Sequence, residues 1–200
     1  MPKRRPKPEK TAKTKLAILK SAAVVFRRRG YYGASMGAIA RELRMTTPNL
    51  YYYFKSKEEI LYFCHDYSLD LLLDSLKETE ESSDAPEAKL RCLIVSFVHM
   101  VIDELRGTAL TLDLRPLSPP RLRRIIAKRD RFDRGMRRII QDGIDAQVFR
   151  ATDPKLAAFG VLGSLNWIPR WFDPQGPADS EQIAQVFAEN LLRGLRNPNC

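Results

Sequence analysis

Cysteine and histidine are scarce in this chain. Of its 200 residues, three are cysteine (Cys64, Cys92, Cys200) and two are histidine (His65, His99). The cysteines are odd in number, no C-x-x-C spacing occurs, and the histidines are isolated. This argues against a disulfide framework or a zinc site, calls for no cofactor, and suits a reducing cytoplasm. Long apolar runs are also missing. The longest, residues 157–169, is interrupted by Ser164 and Asn166 and falls short of the roughly 20 residues a membrane span needs. The basic N-terminus is not followed by the apolar stretch of a secretion signal. No segment alternates convincingly as a strand, and no internal repeat is visible. An acid–base pair or activated nucleophile is not evident either, so the chain reads as a binding protein rather than an enzyme.

Positive charge is abundant, and it is concentrated. The net charge is +10. Residues 1–60 carry 15 Lys or Arg against 4 Asp or Glu, and the remainder carry 19 against 20. All of the excess lies in the first sixty residues, which points to a polyanion, with nucleic acid ahead of an anionic membrane. Residues 1–13 hold three prolines, six cationic residues and almost nothing apolar, and read as a flexible basic arm.

Beyond the arm the periodicity is helical throughout. Ile18, Leu19, Ala22, Ala23 and Phe26 form one face of a helix that Gly30 stops. Ser35 caps a second helix with Met36, Ile39, Ala40 and Leu43 inward. Thr47 is the expected cap of a short third helix, with Pro48 at its first position. Ser56 and Glu59 have capping-box spacing and open a long helix to about Glu81. Further helices are expected over about 85–105, 121–147, 154–169 and 180–195, with "RPLSPP" and "DPQGPADSE" as breaks. The expectation is an all-α chain of about nine helices: an arm (1–13), a three-helix helix-turn-helix domain (14–58) and a C-terminal helical domain (59–200).

The segment "MTTPNLYYYFKSKEE" carries the most specific chemistry. Three consecutive tyrosines cannot share one helix face. With Leu50 and Phe54 turned inward, Thr47, Pro48, Asn49 and Tyr52 are left outward, flanked by Tyr51 and Tyr53. Phenols reach phosphates, asparagine can pair bidentately with adenine, and Lys55 and Lys57 stand where free N–H groups open the next helix. A tight turn at 44–47 before such a helix fits a helix-turn-helix, whose second helix enters the major groove.

The stretch "ILKSAAVVFRRRGYYGASMGAIARELRMTTPNLYYYFKSKEEIL" resembles the N-terminal domain of TetR-type repressors over roughly residues 15–62. Its A-x-x-x-F-x-x-x-G-Y, S-M-x-x-I-A and N-L-Y-Y-Y-F-K-S-K-E-E-I-L elements occur in order at family spacing. The resemblance implies Ser35 and Gly37 near phosphate, Thr47, Pro48, Asn49 and Tyr52 at bases, and Tyr51, Tyr53 and Lys57 on the DNA backbone. Thr46 and Lys55 adjoin this set. Arg44 stands where the family usually has glycine, so either the turn differs slightly there or Arg44 bears a left-handed turn's strain of roughly 1 kcal/mol while adding charge near DNA. Tyr53 stands where histidine is frequent.

The resemblance further implies that the later helices form a ligand pocket and a dimer interface. Two-fold symmetry would match a palindromic operator on double-stranded DNA. On their own evidence, residues 159–168 are apolar nearly all round, Gly160 and Ser164 permit close helix approach, and Ile183, Phe187, Leu191 and Leu195 form a stripe. In the helix over 121–147, Leu122, Ile125, Ile126, Phe132, Met136, Ile139, Ile140 and Gly143 lie on one side. Arg129 falls in the middle of that apolar stripe and needs an anionic partner, either Asp133 or a ligand. Trp167, Arg170 and Trp171 lie at i, i+3, i+4. With "RPLSPPRLRRIIAKRD" this segment is similar to a TetR subgroup that senses acyl-CoA thioesters, and offers aromatic faces and a cation for such a small-molecule effector. Packing in a core or interface is the alternative for both tryptophans. The family often has G-x-F where this chain has Gln147-Val148-Phe149, so a different turn is expected there. The leading reading is a homodimeric, ligand-responsive DNA-binding regulator. The alternatives are a regulator sensing a non-CoA lipophilic ligand, a helical-bundle enzyme, and a non-specific binder that uses only its basic arm.

Overall fold

Residues 8–104 and 113–198 are described by the structure, a computed structural model. They form eight α-helices and one π-helical segment: α1 (Pro8–Gly33), α2 (Met36–Glu42), α3 (Thr47–Tyr53), α4 (Lys57–Glu81), α5 (Pro86–His99), the π segment Met100–Glu104, α6 (Pro119–Asp145), α7 (Pro154–Trp171) and α8 (Ser180–Leu195). No strand occurs among the described residues beyond a single bridge between Phe149 and Arg196. No described helix is long and apolar enough to cross a membrane.

Local chemistry accounts for the helix ends. In α1 the helical conformation breaks at Gly30, whose φ of 65° suits a residue without a Cβ. The helix begins at Pro8, inside the segment expected to be a flexible arm; residues 1–7 lie outside the described residues. Proline lacks an N–H that a first turn would leave unbonded in any case. The Ser35 hydroxyl accepts from Ala38 N–H at 3.1 Å and starts α2. For α3 the cap is Thr46, not Thr47: its extended backbone and its hydroxyl, accepting from Asn49 N–H at 3.4 Å, place Thr47 in the first helical position. Ser56 caps α4 through Glu59 N–H, while the Glu59 carboxylate reaches back to Lys55 N–H at 2.6 Å rather than to Ser56. Asp179 and Gln182 make a full capping box for α8.

Two non-glycine residues adopt left-handed backbone, Arg44 (φ 53°) and Gln147 (φ 61°). The first is the turn between α2 and α3, so of the two alternatives at Arg44 the chain takes the left-handed turn rather than a different one. The second corrects an expectation. The turn after α6 keeps a left-handed residue although glutamine occupies it, and the chain end holds it in place. Asn197 donates through Nδ2 to Gln147 C=O (3.0 Å) and through N–H to Val148 C=O, and Arg150 N–H donates to Leu195 C=O.

In the C-terminal domain α5 runs between α4, α6 and α8, and α6 packs in turn on α4 and α7. Two glycines set the α6 spacing. A Cβ at Gly135 would lie 2.4 Å from Leu76 of α4, and one at Gly143 would lie 2.1 Å from the buried ring of Phe149. Of the expected apolar stripe of α6, Ile125, Phe132, Met136, Ile139, Ile140 and Gly143 are buried, Leu122 is half-buried and Ile126 is exposed. Along α8 the inward face is Ile183, Ala184, Ala188, Leu192 and Leu195, with Phe187 and Leu191 half-buried beside it. The stripe read from sequence is thus largely turned onto α5.

Candidate nucleic-acid interface and effector cavity

The first surface is built on α2 and α3. Leu50 is fully buried under α3 and Phe54 closes its end, which fixes the roll of the helix. Pro48, Asn49, Tyr51 and Tyr52 therefore face solvent, with Tyr51 44% and Tyr52 56% exposed. Tyr53 is half-buried and supports Tyr52 edge-on, with ring centroids 5.1 Å apart. The three consecutive rings thus divide into two offered outward and one buttress. Gly37 is half-buried beside the Ser35 and Thr47 hydroxyls, so the starts of α2 and α3 lie side by side. Thr46, Arg44 and Lys55 are exposed around this face.

Lys57 is placed otherwise than a phosphate-seeking lysine. Its ammonium donates to the carbonyls of Tyr31 (3.0 Å), Ala34 (3.1 Å) and Tyr32 (3.4 Å), and lies 4.5 Å from the Tyr31 ring centroid. All three of its protons have protein acceptors. Lys57 staples the start of α4 to the turn that launches α2, and so positions the helix pair.

The second site is a cavity of about 390 Å³ among α4, α5, α6 and α7. Leu69, Leu72, Phe97 and Phe132 line its apolar side. Arg129, Asp130, Asp133 and Arg137 line it from α6, and Phe159, Leu162 and Asn166 from α7. Burial pushes the Arg129 guanidinium below its usual pKa. Asp133 is ion-paired with Arg137, a residue that sequence reading passed over. Oδ1 of Asp133 and Nε of Arg137 are shielded from solvent without a hydrogen-bond partner. A cavity with an apolar wall and unsatisfied polar atoms on one helix suits a ligand with an apolar body and a polar group.

Arg129 and Asp133, foreseen as ligand residues, thus share this cavity. Trp167, Arg170 and Trp171 do not line it. Trp167 lies on the outer surface, 60% exposed, with the Arg170 guanidinium over its ring, and Trp171 stacks on Phe187 of α8. Arg170 lines a separate groove with Arg27 and Tyr31. Asn166, which in sequence only interrupted an apolar run, is the α7 polar residue that the cavity contains.

Ion pairs tie the cavity helix α6 to α4. Glu58, at the start of α4, accepts from Ser118 N–H (2.9 Å) and pairs with Arg121 (3.1 Å), at the start of α6. Its pKa is lowered, first by that backbone hydrogen bond and also by Arg121. Further along, Lys128 of α6 bridges Asp66 and Asp70 of α4, and Arg138 pairs with Glu80.

The chain is similar to known proteins in sequence and fold. Residues 18–62 match the family described as bacterial regulatory proteins, tetR family, and residues 83–195 match the tetracyclin repressor-like C-terminal domain. The crystal structure of the TetR-family transcriptional regulator PfmR from Thermus thermophilus is similar, at 35% identity and a TM-score of 0.78, over 90% of this chain and 98% of that one. AibR, crystallised with isovaleryl coenzyme A and operator DNA, is 26% identical with a TM-score of 0.75, over 92% of this chain and 98% of that one. The HTH-type transcriptional repressor KstR2 of Mycolicibacterium smegmatis is 24% identical over 191 residues, 94% of this chain and 93% of that protein. With a helix-turn-helix face at one end and a ligand-sized cavity at the other, the chain belongs to the TetR family of DNA-binding transcriptional regulators.

Proposed function

We propose that the protein is a homodimeric cytoplasmic repressor, without enzymatic activity, that leaves a palindromic operator when an acyl-CoA thioester enters the α6–α7 cavity. The carrying observation is that one helix, α6, both lines the cavity and is pinned to α4, the helix that positions the recognition helix α3. Tyr52, Asn49, Pro48 and Thr47 read bases, while Ser35, Gly37, Tyr51 and Lys55 lie along phosphates, with Arg44 and Thr46 at the turn. The acyl body lies against Leu69, Leu72 and Phe97, and its carbonyl faces Arg129 and Arg137. Release requires the effector to bind the non-DNA-binding arrangement more tightly than the DNA-binding one. AibR, solved with an acyl-CoA and operator DNA together, supports this choice of effector.

A second reading follows from Asp133. Its buried Oδ1 accepts hydrogen bonds only, which favours a hydroxylated lipophilic ligand without coenzyme A. The two readings separate in one assay. Fluorescence anisotropy of an operator duplex is followed while acyl-CoAs of rising chain length, their free acids, coenzyme A alone and hydroxylated sterols are added. Release by thioesters and not by acids or sterols supports the first reading. Release by sterols alone supports the second, and release by none of them defeats both.

A further inference from the structure

We infer that the outer face of α6 is a second nucleic-acid surface, which holds the phosphate backbone of a duplex other than the one at α3. Nine of the 19 Lys and Arg residues beyond position 60 lie in α6, against four Asp. A C-terminal domain of almost no net charge therefore carries a concentrated positive strip. At about 100° of turn per residue, Arg123, Arg124, Arg131, Arg134 and Arg138 fall within about 100° of arc, opposite the buried Ile125, Phe132 and Met136. All five are exposed.

The cations flanking the strip serve the fold. Arg121 pairs with Glu58, Lys128 with Asp66 and Asp70, and Arg137 with Asp133. Within the strip Arg138 pairs with Glu80, whereas Arg123, Arg124, Arg131 and Arg134 make no ion pair among the described residues. Asp130, the acid that lies among them in sequence, lines the cavity. Neighbouring guanidiniums without counter-charge repel one another, and an outside polyanion relieves that repulsion. The planar fork of arginine also matches pairs of phosphate oxygens.

The geometry favours a duplex over a lipid surface. A helix that lies on lipid offers it a broad apolar face. That face of α6 is buried in the subunit, and beside the strip Ile126 is its one exposed large apolar residue. From Arg123 to Arg138 the strip runs about 22 Å, enough to meet several phosphates of a strand. It also leads away from α3. The pairs Arg121–Glu58, Lys128–Asp66 and Arg138–Glu80 lay α6 along α4 in the same direction. Arg138 therefore stands level with a point about 35 Å along α4 from its start at Lys57. A straight duplex seated on α3 cannot follow a strip that recedes along α4, so a second duplex is the occupant. DNA-bound protein thereby brings two DNA segments together.

The test uses the full chain, the triple variant Arg123→Gln, Arg131→Gln, Arg134→Gln, and the same three positions changed to Lys. A duplex selected by the protein from a random pool, or a mixed-sequence one if none is selected, is immobilised and saturated with protein. A labelled duplex of unrelated sequence is then added at about 50 mM salt. The parent is expected to capture the label, the Gln variant to capture about tenfold less, and the Lys variant to fall between them. Circular dichroism and binding to the immobilised duplex are expected to be unchanged in both variants. Equal capture by parent and Gln variant, or capture by neither, would show the strip to be a solvated face. Capture of phosphatidylglycerol vesicles or polyglutamate in place of the duplex would give the strip another partner. Loss of immobilised-duplex binding in the Gln variant would place it on the first duplex.

Discussion

At the scale of single residues, two positions separate what is local from what is not. Arg44 sits at φ 53° in the turn between α2 and α3. Replacing it with glycine is expected to raise stability by about 1 kcal/mol in urea unfolding. The same variant is expected to lower the salt dependence of DNA binding by about one ion if the guanidinium meets a phosphate. Lys57 behaves oppositely. Lys57→Met is expected to destabilise the protein by about 1.5–3 kcal/mol, because it leaves the carbonyls of Tyr31, Tyr32 and Ala34 without their charged donor. Its weaker DNA binding is expected without a change in salt slope, whereas Lys55→Ala lowers the slope. Salt titrations of both variants check this. Arg44 was legible in sequence because a tight turn constrains its own residues. Lys57 was not, because its acceptors lie 23 to 26 residues away and only the folded chain brings them to it.

At the scale of helices, spans and inward faces were readable because caps and apolar periodicity are written in neighbouring residues. Which outward face looks into the cavity was not. The apolar faces of α7 offered no direction, so Trp167, Arg170 and Trp171 drew attention while Phe159 and Asn166 held the cavity. Glycine roles follow the same division. Gly143→Ala is expected to cost about 1–3 kcal/mol by driving a methyl into the Phe149 ring, whereas Gly160→Ala is expected to stabilise the isolated subunit slightly; chemical denaturation of both compares them directly. The link from α4 to α6 gives a prediction with a sign. The Glu58 carboxylate has a lowered pKa in the folded protein, so its contribution is present above the ordinary glutamate value and is lost as pH falls through the lowered one. Glu58→Gln is therefore expected to melt earlier than the parent at neutral pH, and the difference to shrink below about pH 4. Its operator release is expected to need more effector, since the strut between Ser118, Arg121 and α4 is weakened.

At the scale of the molecule, the charge asymmetry pointed to a polyanion partner for the first sixty residues, and the fold sets α3 in that part of the chain and the cavity among α4, α5, α6 and α7. Of the cavity's lining only Arg129 and Asp133 were foreseen, because the rest depends on how four helices meet. The central claim is that α3 is presented to the major groove twice, by two symmetry-related subunits. The most direct measurement is selection by the purified protein from a pool of random-sequence duplexes, followed by sequencing. The account predicts an enriched palindrome whose half-site centres lie about 34–36 Å apart, one turn of B-DNA or slightly more. Recovery of no motif, or of a single half-site with no symmetric mate, would contradict it.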